Sequence, residues 1–238
     1  MSRRPTGRPA VLGLGAFLAL ALAACGGGGG GSTTQPADTS HLPRGKSVDY
    51  FSPPPPIAPA LRAAARAAGC SVRSFPMEPV KLQPDGTFHI LGTPVYRVSL
   101  PPTSGLHYPV WADWGIYDRP VPFKFQVHNL EHGGIIVHLG SRLAPAARTA
   151  IRRLWTAAPA YMLVTPETFA RFPANGVVVT SWQRWMSCRR WSPRIPAAIA
   201  VYRDVYRGTG PEQAAAYDSG QPVPGLPTPA VPDPGAHP

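Results

Sequence analysis

Apolar residues recur at helical spacing in three segments of the chain, and these segments predict helices over 59–68, 143–158 and 196–207. In the second segment the apolar positions fall on one side of the helix, as is typical of a helix that covers a core. The first segment begins with Pro59 and is followed directly by Gly69, the arrangement that helices prefer at their two ends.

Short runs rich in β-branched and aromatic residues lie between the helical segments and predict strands. The predicted strands are 87–91, 94–100, 121–127, 134–138, 161–165 and 176–182. Strands and helices follow one another in mixed order rather than in strict alternation. The pattern therefore predicts a single compact α+β domain, in which helices flank a mixed or antiparallel sheet.

The N-terminus has the pattern of an export signal. Three arginines precede a short apolar run that ends in Leu22-Ala23-Ala24-Cys25, so residues 1–24 are predicted to be a signal peptide. The last four residues resemble the bacterial lipobox, whose cysteine carries lipid; an ordinary signal peptide with an incidental cysteine is the alternative. We expect Cys25 to be lipidated and to anchor the exported protein on the outer face of the cell membrane. The glycines that follow predict a flexible Gly/Pro-rich tether over 25–56.

Composition separates the folded part of the chain from its ends. The 238 residues include 32 Pro and 24 Gly, a combined share about twice that of average proteins. More than half of these residues lie outside 57–207, a segment whose length suits one domain. The segment 208–238 is rich in proline and has no Lys or Arg, and it is predicted to be disordered.

Two cysteines remain in the predicted domain, Cys70 and Cys188. In an oxidising envelope an even pair of cysteines predicts one disulfide. Two buried free thiols, or one thiolate that binds a metal, are the alternatives.

Positive charge is concentrated in the second half of the domain. Residues 142–207 carry 11 Arg but only Glu167 and Asp204 as acids. An exported lipoprotein rarely meets nucleic acid, so we expect no nucleic-acid partner. Besides the membrane reached through the lipid, the candidate partners are anionic lipids or wall polymers, and a merely solvated basic face is the alternative. The sequence identifies no protein partner.

Five of the seven histidines fall within residues 89–138. They are His89, His107, His128, His132 and His138. The run His128-Asn129-Leu130-Glu131-His132 matches the inverted zinc-protease pattern, which requires a helix so that both imidazoles reach one ion. Gly133-Gly134 and the β-branched residues that follow favour a strand instead, so a metalloprotease is the weaker interpretation.

A metal site without protease activity needs a different local structure. If 129–134 form a tight turn, His128 and His132 converge with His107, and three imidazoles suit Zn or Cu. The sequence thus predicts these three histidines as metal ligands, with Glu131 supporting them from outside the ligand set and Cu or Zn as the candidate cofactor.

Three roles for these residues stay open. A non-catalytic, metal-binding module is favoured, and no catalytic residue is assigned. The second role is an enzyme, either a metal-assisted hydrolase with Glu131 as base or a wall-polymer-modifying protein. The third is an interaction scaffold whose histidines only hold loops in place.

Several motifs are similar to those of a known family. They include Pro101-Pro102-Thr103-Ser104-Gly105-Leu106-His107, Trp111-Ala112-Asp113-Trp114-Gly115-Ile116-Tyr117 and Val127-His128-Asn129-Leu130-Glu131-His132-Gly133-Gly134. Between Ala67 and Glu212 the chain resembles the extracytoplasmic family called domain of unknown function 3105. The family has no established activity, so the resemblance implies no catalytic role. It implies that these motifs belong to one unit, which supports a shared site for the three histidines. His138 stands where the family would have an aromatic or apolar residue, and it is not a predicted ligand.

Overall fold

The computed structural model describes residues 50–54, 56–212 and 225–233, which belong to one compact unit. This part of the chain contains four helices and seven strands. In chain order they are α1 (Pro59–Ala67), β1 (Ser71–Ser74), β2 (Gly115–Ile116), α2 (Phe123–Glu131), β3 (Ile135–Gly140), α3 (Pro145–Ala157), β4 (Met162–Glu167), β5 (Val177–Ser181), β6 (Arg184–Cys188), α4 (Ile195–Tyr206) and β7 (Val231–Pro232). The predicted α+β class is confirmed. Among the described helices, none combines the length and the apolar character that crossing a membrane requires.

The seven strands join one mixed sheet in the order β1-β6-β5-β3-β4-β2-β7. Strands β3, β4 and β2 are parallel to their neighbours in that group, and the other pairs are antiparallel. Every residue of β3 and β5 is buried. Because both faces of these strands are covered, each begins with three consecutive apolar residues rather than with an alternating pattern.

Alternate side chains of β3 enter two separate cores. Ile135 and Val137 pack with residues of α1, α3 and α4 on one face of the sheet. Ile136 faces the other way and packs with Phe125 of α2 and with aromatic residues of the segment 75–114. This second layer also carries the candidate site.

Three of the described helices and three of the described strands lie where the sequence pattern predicts them. Helices α1, α3 and α4 each have a proline in the first turn, where a missing N–H has no intrahelical partner to lose. Gly69 follows α1 with a φ of +74°, a conformation that glycine adopts without steric cost. Strands β3, β4 and β5 confirm the predictions at 134–138, 161–165 and 176–182.

The strand prediction at 121–127 is wrong, because most of that segment belongs to α2. Its apolar residues alternate with polar ones, which is the pattern of a half-buried strand. In the structure α2 is buried around most of its circumference, including polar Gln126 and Asn129. A helix covered in this way lacks the one-sided apolar pattern that identifies a surface helix. Gly133, with a φ of +80°, follows its C-terminal end.

The strand predictions at 87–91 and 94–100 are also wrong. Within those described segments, regular pairing is limited to a single parallel bridge between His89 and His107. The amides of Arg97 and Val98 donate instead to the buried Glu78 carboxylate, at 2.9 and 2.7 Å. A side chain thus satisfies the backbone groups that a neighbouring strand would otherwise pair.

The folded part extends beyond residue 207, the predicted end of the domain. The Gly208 amide donates to the Gly133 carbonyl at 2.8 Å, and the Glu212 amide donates to the Glu131 carbonyl at 3.1 Å. The prediction of disorder over 208–238 therefore does not hold for the residues nearest the domain.

A second part of the predicted tail also packs on the sheet, since β7 pairs with β2. The rest of that tail, at 213–224 and 234–238, lies outside the described residues. So do the predicted signal peptide 1–24 and the lipidation site Cys25.

Cys70 and Cys188 form the predicted disulfide across 118 positions of the chain. It joins the segment after α1 to the end of β6.

We expect replacement of both cysteines by alanine to lower the free energy of unfolding by about 2–5 kcal/mol, because the unfolded chain loses a cross-link over a long loop. Urea unfolding of the oxidised wild type and the double variant measures the difference. A loss below about 1 kcal/mol would contradict this expectation.

Candidate metal centre

Three imidazoles and one carboxylate converge at the C-terminal end of α2. His128 and Glu131 are three residues apart on the helix and therefore lie on the same side of it. His89 and His107 belong to the segment 75–114, which packs against this helix. One ligand atom from each residue lies within 4.8 Å of the others. We call these four residues the His/Glu cluster.

A short backbone bridge sets His89 beside His107. The Ile90 amide donates to the His107 carbonyl at 2.7 Å, and the His107 amide donates to the Phe88 carbonyl at 3.0 Å. The bridge brings the two imidazoles into contact, with ring centroids 5.1 Å apart. Sequence spacing does not reveal this pair, because the bridge joins residues of two irregular segments.

Asn129 fixes α2 to the same segment. Its Oδ1 accepts a hydrogen bond from the Ala112 amide at 3.0 Å, and its Nδ2 donates to the Ala112 carbonyl at 2.7 Å. Asn129 is fully buried. Because His128 precedes Asn129 on the helix, this clamp holds His128 in place relative to the segment that carries His107.

Backbone carbonyls determine which ring nitrogens carry protons. Nδ1–H of His107 donates to the Gly105 carbonyl at 2.8 Å, and Nδ1–H of His128 donates to the Tyr108 carbonyl at 2.8 Å. A carbonyl oxygen only accepts, so in each neutral ring the lone pair is on Nε2. These two Nε2 atoms lie 2.9 and 3.9 Å from Oε2 of Glu131.

The cluster therefore brings several acceptor atoms face to face. Nε2 of His89 lies 4.0 Å from the same Glu131 oxygen. Within the described part of the chain, Nε2 of His107 and Oε2 of Glu131 are buried and have no aligned hydrogen-bond partner. Acceptors at such distances repel one another unless a proton or a metal ion lies between them.

Burial makes an added proton unfavourable on two of the rings. Burial first, and then the nearby His107, lower the pKa of His128 to about 3. Burial likewise lowers the pKa of His89. Burial alone would raise the pKa of Glu131. The hydrogen bond and positive charge that His107 offers when it is protonated, together with the Tyr50 hydroxyl, outweigh burial and hold that pKa below its ordinary value. At neutral pH, neutral His89 and His128 thus lie beside an ionised carboxylate, the protonation state that metal ligands need.

Glu131 also lacks a permanent counter-charge. Its side chain is 1% exposed and lies in the last turn of α2, where the helix dipole favours cations. Among the described residues its ion-pair partners are histidines alone, although the chain has 23 Lys and Arg. A bound cation would supply the missing charge.

The spacing of the three rings suits one ion. The ring centroids of His89, His107 and His128 are 4.9 to 5.1 Å apart. Imidazoles that bind one ion tetrahedrally through nitrogens at about 2.05 Å have centroids about 5 Å apart. The carboxylate of Glu131 offers a fourth potential ligand atom.

His132, the third ligand predicted from the sequence, lies beside the His/Glu cluster rather than in it. Its ring stacks on that of His128 at a centroid distance of 4.8 Å and an angle of 22°. Its ligand atom instead lies within 4.8 Å of atoms of Glu131 and Glu212. Half of the predicted turn at 129–134 belongs to α2, and His128 and His132, four positions apart at its end, stack along one side.

Two other residues, His89 and Glu131, lie at positions in the site that differ from the sequence prediction. His89, which the sequence did not select as a ligand, belongs to the cluster. Glu131, expected to support the ligands from outside, is one of the converging groups. The structure brings His107 and His128 together, with ring centroids 4.9 Å apart, and their assignment as metal ligands stays a prediction.

Tyr50 covers the carboxylate side of the cluster. Its ring contacts that of Phe88 at a centroid distance of 4.8 Å. Its hydroxyl oxygen lies 2.8 Å from an oxygen of Glu131 and 2.8 Å from an oxygen of Glu212. Burial, followed by the charge of Glu131, raises the pKa of Tyr50. Residue 50 was predicted to lie in the flexible tether, whereas here it packs on the domain.

His138 lies outside the His/Glu cluster, and hydrogen bonds hold its ring in place. Its Nδ1 lies 2.8 Å from Oε1 of Glu167, and its Nε2 lies 2.9 Å from the hydroxyl of Thr180. Gln126 also donates to that carboxylate at 3.3 Å. Both ring nitrogens of this buried histidine have partners, whereas Nε2 of His107 in the His/Glu cluster has no aligned one.

The fold and the cluster define a class, an α+β domain with a buried histidine–glutamate group that could hold a metal ion. The chain belongs to the family described as "Protein of unknown function (DUF3105)", whose model matches residues 90–219. The family resemblance stated from the motifs is thereby confirmed. No curated protein and no solved structure gives a significant match to the chain.

Replacement of Asn129 by alanine tests the clamp between α2 and the segment that carries His107. We expect Asn129→Ala to lower the free energy of unfolding by about 2–4 kcal/mol, because the buried amide and carbonyl of Ala112 lose their partners. Asn175→Ala is the control, since Asn175 is exposed and should change stability by less than about 0.5 kcal/mol. Equal effects of the two substitutions in urea unfolding would contradict the clamp.

Proposed function

We propose that this protein is an exported, lipid-anchored envelope protein whose domain binds a divalent transition-metal ion through His89, His107, His128 and Glu131. The observation that supports this most strongly is the direction of the ring lone pairs. Two rings donate Nδ1–H to backbone carbonyls and turn Nε2 toward one carboxylate oxygen. Metal-binding histidines typically have their other ring nitrogen bonded in this way.

The ligand types favour Zn²⁺ or Cu²⁺. Imidazole nitrogen suits both ions, and three imidazoles with one carboxylate match common tetrahedral zinc sites. Cu⁺ prefers soft sulfur ligands. The two cysteines of the domain are joined to each other, so they offer no thiolate to the ion.

Export is supported by two features. The N-terminal sequence has the signal pattern and the Leu22-Ala23-Ala24-Cys25 tetrad. The disulfide between Cys70 and Cys188 is of a kind that persists in oxidising compartments outside the cytosol.

A non-catalytic role, such as holding or passing on the ion, fits the cluster better than hydrolysis with Glu131 as base. A general base must reach the water that it deprotonates. Glu131 is instead buried among imidazoles and the Tyr50 hydroxyl, in the position of a ligand. The His89 side chain is 28% exposed, and it gives an ion a path to solvent.

Anionic polymers or lipid headgroups are proposed as further partners of the basic half of the domain. Arg73, Arg171 and Arg189 line a cavity of about 360 Å³ together with Trp185. Three guanidinium groups around one cavity favour an anionic occupant.

Glu131→Gln and Glu167→Gln form a matched pair that tests metal binding. Each replaces a buried glutamate beside histidines with a neutral side chain of the same shape. In the full chain, purified in detergent without an affinity tag and stripped with a chelator, we expect Glu131→Gln to weaken Zn²⁺ binding at least about 100-fold. Glu167→Gln should keep the wild-type Kd in calorimetric titration.

Thermal unfolding provides the second readout. Zn²⁺ at about 100 times its Kd should stabilise the wild type by about 2.7 kcal/mol and should stabilise Glu131→Gln far less. Absence of Zn²⁺ and Cu²⁺ binding by the wild type would refute the proposed function. A Glu131→Gln variant that is destabilised but binds the ion normally would contradict the proposed role of Glu131 as a ligand.

Cys25→Ala tests the anchor. We expect the wild type to partition with membranes and its mature N-terminal peptide to carry the mass of attached acyl chains on Cys25, whereas Cys25→Ala should lose both properties. Cells that make each form are fractionated, and the N-terminal peptide is analysed by mass spectrometry. Membrane association of Cys25→Ala equal to that of the wild type would contradict lipid anchoring.

A further inference from the structure

A second group of potential ligands adjoins the His/Glu cluster. It consists of Glu131, His132 and Glu212, and one ligand atom of each lies within 4.8 Å of the others. Glu131 is common to both groups. Two sets of ligands that share one carboxylate are the usual arrangement of a two-metal site.

Backbone contacts hold the three residues together. Glu131 and His132 are consecutive at the end of α2. The chain after α4 returns to this point, where the Gly208 amide donates to the Gly133 carbonyl at 2.8 Å and the Glu212 amide donates to the Glu131 carbonyl at 3.1 Å. The position of Glu212 is therefore fixed at the backbone although its side chain is exposed.

His132 is the buried member of the group, and its polar atoms lack partners. The residue is 4% exposed, and neither of its ring nitrogens has a hydrogen-bond partner in the described part of the chain. The rings of His128 and Trp111 both contact it at centroid distances of 4.8 Å. A buried imidazole without partners is costly, and a metal ion bound to one nitrogen would remove part of that cost.

The two carboxylates of Glu131 and Glu212 share the Tyr50 hydroxyl and have no Lys or Arg partner among the described residues. The hydroxyl lies 2.8 Å from an oxygen of Glu131 and 2.8 Å from an oxygen of Glu212. A hydroxyl has one proton to donate, so it serves one carboxylate at a time. Among the described residues, no Lys or Arg forms an ion pair with either carboxylate.

We infer that Glu131, His132 and Glu212 bind a second divalent ion, and that Glu131 bridges it to the ion of the His/Glu cluster. This inference rests on the proposed function, because the bridge requires the first ion. One imidazole and two carboxylates suit Zn²⁺ or Mn²⁺. Ions that share a bridging carboxylate lie about 3.5–4 Å apart. The exposed Glu212 leaves one side of the second ion open to water.

Zn²⁺ stoichiometry separates the two sites. The full chain is loaded with Zn²⁺, freed of excess ion by gel filtration and analysed for metal content. We expect two Zn²⁺ per chain in the wild type and one in Glu212→Gln. Asp204→Asn, which alters another exposed carboxylate, should retain two.

Each other stoichiometry has a distinct meaning. One Zn²⁺ in both the wild type and Glu212→Gln would overturn the second site and leave the proposed function standing. Two in both proteins would place the second ion elsewhere and would also overturn the inference. No Zn²⁺ in the wild type would refute the proposed function together with the inference.

Cu²⁺ supplies an independent spectroscopic test. Two Cu²⁺ ions about 4 Å apart couple magnetically, so the wild type should show a broadened or diminished electron paramagnetic resonance signal. Glu212→Gln should show the signal of a single, uncoupled Cu²⁺ ion. An uncoupled signal from wild-type protein loaded with two Cu²⁺ would contradict the bridge.

Discussion

The Glu131 carboxylate lies in a buried position at the C-terminal end of a helix, where a negative charge is unfavourable. It is buried, it lies at the negative end of a helix dipole, and its ion-pair partners in the described structure are imidazoles rather than Lys or Arg. Two of the imidazoles turn a lone pair toward it, because their Nδ1 protons are donated to backbone carbonyls. A cation at the centre of this arrangement would convert this mutual repulsion into coordination. The other features of the site follow from the need to hold these groups together.

Four parts of the chain hold the residues of the site together. Helix α2 carries His128 and Glu131 and is clamped through Asn129 to the preceding segment. The bridge between His89 and His107 brings in the remaining imidazoles. The chain after α4 closes over the end of α2, and Tyr50 covers the carboxylates from the N-terminal side. The cluster is therefore assembled from distant parts of the sequence on one face of the sheet, while α1, α3 and α4 cover the other face.

Elements whose burial is simple were predictable from the sequence. Helices α1 and α3, for example, bury one side and begin with proline, so their pattern identified them. The pattern at 121–127 predicts a strand, because α2 is buried nearly all round and lacks a one-sided apolar pattern. The pattern at 94–100 also predicts a strand, but there the Glu78 side chain satisfies the amides of Arg97 and Val98. The first error conceals the helix that carries His128 and Glu131. His107 and His128 were recognised as neighbours from their motifs, whereas His89 was missed, because it joins the cluster through a bridge between irregular segments.

The most direct test of metal binding by the His/Glu cluster is a crystal structure of the Zn²⁺-loaded protein, with anomalous diffraction measured at the zinc edge. We expect an ion bound by nitrogens of His89, His107 and His128 and by an oxygen of Glu131, at distances of about 2.0–2.2 Å. Loaded crystals with no anomalous peak at these four residues would contradict it, whether the peaks lie elsewhere or no ordered peak is found.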